Sequence, residues 1–174
     1  MNEQKPISHI IAGLIIGCVL IIFSMVLYFA GIQQGGIYQI IQLLMIGVGL
    51  IVFINMHGNA LKNQVSFGNL FSYGFKTTAV LTLIMVIFSV AFFLLFPDIK
   101  EKIFESTREQ MEKGGNMTQE EIEKGLEMWR NMFWVLTIGS VLLIYAIIGA
   151  IASAIGAAIT KKKPINPLDQ LDKH

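Results

Sequence analysis

The chain has 174 residues, 54% of them hydrophobic and 14% charged, with a formal net charge of +1. That is too apolar for the water-facing surface of a globular domain of this size, and no basic stripe on a soluble module is present to contact nucleic acid. The single cysteine, Cys18, excludes an intrachain disulfide framework.

Four apolar runs organise the chain, at 7–30, 37–56, 77–96 and 133–159. Each is near the ~20 residues that cross a hydrocarbon core as helix. None contains Asp, Glu, Lys or Arg. The pattern predicts an all-α polytopic membrane protein, a single membrane domain over 1–174 with four transmembrane helices. Transporters and pumps keep ionisable groups at membrane depth, so spans without charge point away from that chemistry.

The first run is too long for a secretory signal, whose hydrophobic region has about 7–15 residues, and Tyr28 stands where a cut after Ala30 needs a small residue. It reads as an uncleaved anchor, with Cys18 as a packing residue. Gly13 and Gly17 in this run, and Gly149 and Ser153 followed by Ala157 in the fourth, have the spacing that lets helix backbones approach closely. They mark either a seam between spans one and four or a homodimer seam. The Gly31–Gly36 connection carries no charge and is expected as a tight external turn.

The second connection, 55–76, mixes amides and aromatics. Phe67, Leu70, Phe71 and Phe75 recur at helical spacing behind Ser66, a candidate N-cap. This predicts a short amphipathic helix in the headgroup layer before span three, anchored by Tyr73 and Lys76. Asn55, His57, Asn59 and Lys76 form a candidate polar cluster at the cytoplasmic rim. Histidine binds metals and moves protons, but His57 has no carboxylate or thiolate beside it, and no His or Cys pair has metal-ligand spacing. Structural anchoring is the reading adopted, with no metal, cofactor or catalytic residue assigned. Span three, rich in Leu, Ile, Val and Phe and nearly free of small notches, is expected to be the lipid-facing helix.

Residues 97–132 read as a projecting helical hairpin. Pro97 closes span three; Ile99, Ile103, Phe104 and Met111 then line one side of a helix, with Glu101, Glu105, Arg108, Glu109 and Lys113 opposite. Gly114-Gly115-Asn116 breaks it. Thr118-Gln-Glu-Glu121 fits a capping box, and Ile122, Leu126, Trp129 and Phe133 carry the new helix directly into span four. Glu109/Lys113 and Glu120/Lys124 are solvent-facing pairs four residues apart. Trp129 and Trp134 suit an interfacial aromatic belt, and Met128 and Met132 are better core filler than a soft-metal site.

Charge is segregated along the chain. The segment from Asp98 to Arg130 holds nine acids and six bases, while Lys5, Lys62, Lys76 and Lys161–Lys163 flank the other span ends. The positive-inside rule then places both termini in the cytoplasm, with the hairpin outside and the tail 161–174 inside. Lys100, Lys102 and Arg130 count against this orientation.

The Ser66-Phe-Gly segment leading to Gly74-Phe-Lys76, the hairpin stretch Met117-Thr-Gln-Glu-Glu-Ile-Glu-Lys124 and the terminal run from Ile147 to Pro164 give the chain a resemblance to a family. It resembles the bacterial membrane proteins grouped as domain of unknown function 4199, which implies an inner-membrane location and brings no activity, cofactor or site residue. The expected role is a non-catalytic subunit or scaffold of a membrane complex, in contact with lipid and with a membrane-protein partner or a second copy. The alternative is a small oligomeric lipid-handling or transport protein that uses 55–76 and has a polar cavity lined by Gln39, Gln42, Asn55 or Tyr145. An enzyme is not expected, since no nucleophile, carboxylate pair or phosphate-binding glycine loop is present.

Overall fold

The computed structural model describes residues 6–31, 36–115 and 117–163. Over these the chain forms five helices: α1 (His9–Phe29), α2 (Gly36–Ala60), α3 (Phe67–Leu95), α4 (Pro97–Gly114) and α5 (Gln119–Ile159). No strand occurs among the described residues. The expected turn at 31–36, Asn116 of the hairpin break and the tail 161–174 lie partly or wholly outside the described residues. Helices α1, α2, α3 and α5 are long and apolar enough to cross a membrane, and α4 lies between the third and fourth of these spans. Their flanks are covered with exposed apolar side chains, among them Ile22 (62% exposed), Leu83 (61%) and Leu143 (63%). Water does not tolerate so continuous an apolar surface; lipid does.

Local chemistry sets the helix ends. Ser8 Oγ accepts from the Ile11 amide at 3.2 Å and starts α1. Helix α2 outruns its apolar stretch by one turn, because Asn59 Nδ2 donates to Asn55 Oδ1 at 2.8 Å and the amides continue the helix. It ends where Lys62 and Asn63 adopt left-handed backbone, at φ 55° and 62°, and the Asn63 amide donates to the Gly58 carbonyl at 2.8 Å. Ser66 Oγ then accepts from the Asn69 amide at 3.2 Å and opens α3.

The separate interfacial helix expected over 67–75 is absent, since these residues are the first turns of a 29-residue helix. Nothing between Phe75 and Thr77 breaks the backbone, and Leu70, Tyr73 and Gly74 continue the buried stripe of Thr77, Thr78, Leu81, Thr82 and Met85. Tyr73, expected at the membrane surface, is therefore a core residue. The buried stripe also overturns the lipid-facing assignment of span three. Cys18, expected to pack, is exposed on α1.

The chain divides into two compact units, one of residues up to Met85 and from Leu143 onward, the other Val86–Leu142. In the first, the glycine notches of α1 and α5 receive side chains of α3. A Cβ on Gly13 would lie 2.9 Å from Val80 Cβ and 3.0 Å from the Thr77 carbonyl oxygen. On Gly17 it would lie 3.1 Å from Ile84 Cγ2, and on Gly149 2.7 Å from Thr78 Cβ. The expected seam between spans one and four through these glycines is thus corrected: both helices turn them toward α3. Gly74 of α3 is itself a notch, where a Cβ would meet Ile54 Cδ1 and Ser153 Oγ at 2.6 Å. Gly47, by contrast, has no such neighbour within 4 Å. One core cluster joins all four helices through Ala12, Ile54, Leu70, Tyr73 and Ala157, with Val65 from the α2–α3 turn.

The second unit contains the hairpin. Pro97 opens α4 at a position that needs no amide donor, and Gly115, at φ 67°, closes it. The capping box forms: the Thr118 amide donates to Glu121 Oε2 at 2.7 Å, and the Glu121 amide to Thr118 Oγ1 at 3.3 Å. Donation from the Thr118 amide, and then from its hydroxyl, holds the exposed Glu121 carboxyl below the usual carboxylate range. Phe104, Ile122, Leu126 and Phe133 are buried between α4 and α5, with Trp129 edge-on to Phe104 at 4.9 Å between centroids. Helix α5 has 41 residues, which is roughly 60 Å of uninterrupted helix.

Candidate functional site

The rim where α1 begins, α2 ends, α3 begins and α5 ends carries the densest polar chemistry of the first unit. The Tyr73 hydroxyl donates to the Ile7 carbonyl at 3.1 Å. The His57 ring stacks on Tyr73, with centroids 3.9 Å apart and planes 13° from parallel. His57 Nδ1 and Asn63 Oδ1 are buried without a hydrogen-bond partner among the described residues. The backbone amide of Lys163 donates to the Asn63 carbonyl at 2.8 Å and fixes the exit of α5 to the α2–α3 turn. Lys162 Nζ caps α5 by donating to the carbonyls of Ala157 (2.6 Å), Thr160 (3.0 Å) and Ala158 (3.2 Å), where the helix dipole favours a cation.

Of the four residues placed in one cluster by their sequence, Asn55 and Asn59 pair with each other. His57, two residues from each, lies on another face of α2, against Tyr73. Lys76 is exposed on α3, and no hydrogen bond or ion pair joins it to the other three. The packing candidates Gly13, Gly17, Gly149 and Ser153 are all buried. Ser153 Oγ has no hydrogen-bond partner among the described residues and faces Gly74. Ile7 and Asn63 were not legible as rim residues, and Tyr73, read as an interfacial anchor, was not legible as the buried partner of His57. Tyr73 had one available signal, its spacing of three and four from Leu70 and Thr77, which puts it on their stripe.

Two concave surfaces accompany the rim. An apolar groove of about 430 Å³ runs between α1 and α2, lined by Ile16, Val19, Leu20, Leu44, Val48 and Phe53 among others. Gln39, Gln42, Asn55 and Tyr145 do not line it. The hairpin unit carries a cleft of about 640 Å³, edged by Glu101, Glu105, Glu120 and Glu127 and floored by Phe104 and Leu126. Arg108 pairs there with Glu123, and Arg130 Nη2 lies 3.1 Å from Glu101 while its guanidinium rests 4.8 Å from the Phe104 ring centroid. Among the described residues no group of three or more His, Cys, Asp or Glu side chains comes together as a metal site.

Long apolar helices with interlocked glycines, no acid in any span core and a charged helical pair between the third and fourth spans define a multi-span helical membrane protein. The family model described as Protein of unknown function (DUF4199) matches residues 12–162, and the chain belongs to that family. No curated protein and no solved structure matches it.

The two parts of the Tyr73 side chain contribute separately. Tyr73→Phe removes one hydrogen bond and is expected to cost about 1 kcal/mol. Tyr73→Ala also opens the core and is expected to cost about 3–5 kcal/mol. Reversible denaturation of the purified protein in detergent checks both; equal small losses would show that the ring is not packed.

Proposed function

We propose that this protein is a non-catalytic subunit or scaffold of a complex in the bacterial inner membrane, with both termini cytoplasmic and the 97–132 hairpin outside as its docking element. The observation that carries this reading is the construction of the hairpin. Its apolar residues are used on each other, in Phe104, Ile122, Leu126 and Phe133, and two cross-helix ion pairs, Arg108–Glu123 and Arg130–Glu101, fix its register. Exposed pairs of this kind add little stability, about 0–1 kcal/mol each, but they hold the cleft between the helices in one shape. A pre-formed, water-facing cleft with an acidic edge suits recognition of another protein at low ordering cost. The absence of acid from every span core and the lack of a catalytic constellation in the sequence agree with a role without chemistry.

A second reading, a small oligomeric lipid-handling or transport protein, draws on the α1–α2 groove, whose almost wholly carbon lining suits an acyl chain. The 55–76 segment, as the end of α2, a tight turn and the start of α3, serves this reading as a fixed rim and not as a mobile interfacial helix.

Photocrosslinking in native membranes separates the two readings. A photoreactive residue at Glu109, on the exposed side of α4, is expected to capture one defined membrane protein identified by mass spectrometry, and the same probe at Leu83 only lipid. Lipid or self-adducts alone at both positions would remove the scaffold reading. Orientation is checked in a Cys18→Ser background with a membrane-impermeant maleimide. Glu109→Cys should label in intact spheroplasts and Asn63→Cys only after permeabilisation; the reverse pattern would invert the topology.

A further inference from the structure

Helix α5 carries apolar side chains on two sides. One side is used in the hairpin core, through Leu126 and Phe133. On the side turned away from these stand Met128, Met132, Val135, Gly139 and Leu142, at alternating intervals of four and three residues, and all five are exposed. All belong to the hairpin unit. Val135 and Met128 are the most open, at 68% and 63%. The only charged residues between Gly125 and Leu142 are Glu127 and Arg130, and both line the cleft instead, so the stripe itself holds no charge. A Cβ on Gly139 would meet nothing within 4 Å, which leaves an open notch in the stripe.

Lipid does not account for the whole of this surface. Counted back along α5 from Ile159, a hydrocarbon core of about 30 Å is crossed by about residue 140, and at a tilt of about 40° by about residue 133. Met128 and Met132 fall beyond it at either limit, where exposed apolar side chains call for a protein surface to cover them. The spacing indicates which surface. A mean interval of 3.5 residues is the seam of two helices that wrap around each other with knobs in holes. Two copies inserted the same way in one membrane bring their α5 helices together in parallel, so each level of the stripe meets itself across a two-fold axis. No like charges then face each other, and Gly139 lets the two backbones approach closely. We infer that Met128, Met132, Val135, Gly139 and Leu142 are the seam of a parallel homodimer of this chain. The seam uses neither the acidic-edged cleft nor the partner proposed for it, so each reading stands or falls without the other.

The test is disulfide scanning of the full-length protein in native membranes, in the Cys18→Ser background, with one introduced cysteine at a time and an added oxidant. Met128→Cys, Met132→Cys and Val135→Cys are expected to give a covalent dimer of twice the chain mass. Glu127→Cys, in the cleft, and Glu109→Cys, on the exposed side of α4, should stay monomeric. Gly139→Leu places its side chain where a single copy has open space, so the amount of protein in the membrane should not change. It should force the seam apart and raise the dimer dissociation constant about tenfold, read by energy transfer between labelled copies on dilution in lipid. No covalent dimer at the seam positions, equal yields at Glu109→Cys and Glu127→Cys, or an unchanged dissociation constant in Gly139→Leu would overturn the inference. So would a disulfide from the seam to a different protein, which would give the stripe another occupant.

Discussion

Every backbone amide and carbonyl in a bilayer has to be satisfied inside its own helix, and helices so satisfied gain nothing hydrophobic by leaving lipid for each other. What remains to specify a bundle is contact distance. In this protein α3 supplies the protruding side chains, Thr78, Val80 and Ile84, while Gly149, Gly13 and Gly17 supply the space they enter. Dispersion contacts of about 0.1–0.2 kcal/mol per atom pair become decisive only when many form at once, which needs the backbones this close. The termini of the spans follow from that arrangement, because α1, α2 and α5 meet α3 in one core cluster at the rim.

The same constraint governs the polar side chains. Thr77, Thr78 and Thr82 donate back to the carbonyls of Tyr73, Gly74 and Thr78 at 2.8–3.0 Å, and Thr160 to Gly156 at 2.7 Å. A hydroxyl bonded within its own helix is a β-branched packing group that carries no polar cost into the interface. Polar chemistry is instead gathered at the rim, where the Tyr73 hydroxyl meets the carbonyl of Ile7 and the His57 ring stacks on Tyr73, and in the hairpin, where water supports the charges. At the other end of α1, Ser24 Oγ and Tyr38 OH lie 2.8 Å apart and link α1 to α2.

Much of the fold was legible because it is local. The four apolar runs, the stop at Pro97, the break at Gly115 and the Thr118–Glu121 capping box each depend on residues a few positions apart. Pairs such as Glu109/Lys113 are legible for the same reason. Register between helices is not local, so neither Arg108–Glu123 nor Arg130–Glu101 was visible. The assignment of span three to lipid failed for a related cause: glycines mark α1 and α5 as helices that receive a partner, and the Thr78, Val80 and Ile84 side chains that α3 inserts into them carry no such mark. The interfacial helix over 67–75 failed because an amphipathic pattern of aromatics looks the same on a membrane surface and in the first turns of a buried helix. The rim was half visible, since the Asn55–Asn59 pair follows helical spacing and the stacking of His57 on Tyr73 does not.

The interlock of α3 with its neighbours is tested most directly by a double-mutant cycle at Gly17 and Ile84. A Cβ at Gly17 would press on Ile84 Cγ2 and Cδ1, at 3.1 and 3.3 Å, so Gly17→Ala is expected to destabilise through overpacking and Ile84→Ala through a cavity. In the double variant the new methyl occupies space that the isoleucine vacates. Denaturation of the purified protein should give a double variant more stable than the sum of the singles predicts, by at least about 0.5 kcal/mol. Strict additivity would show that the two residues do not meet, and would contradict the account.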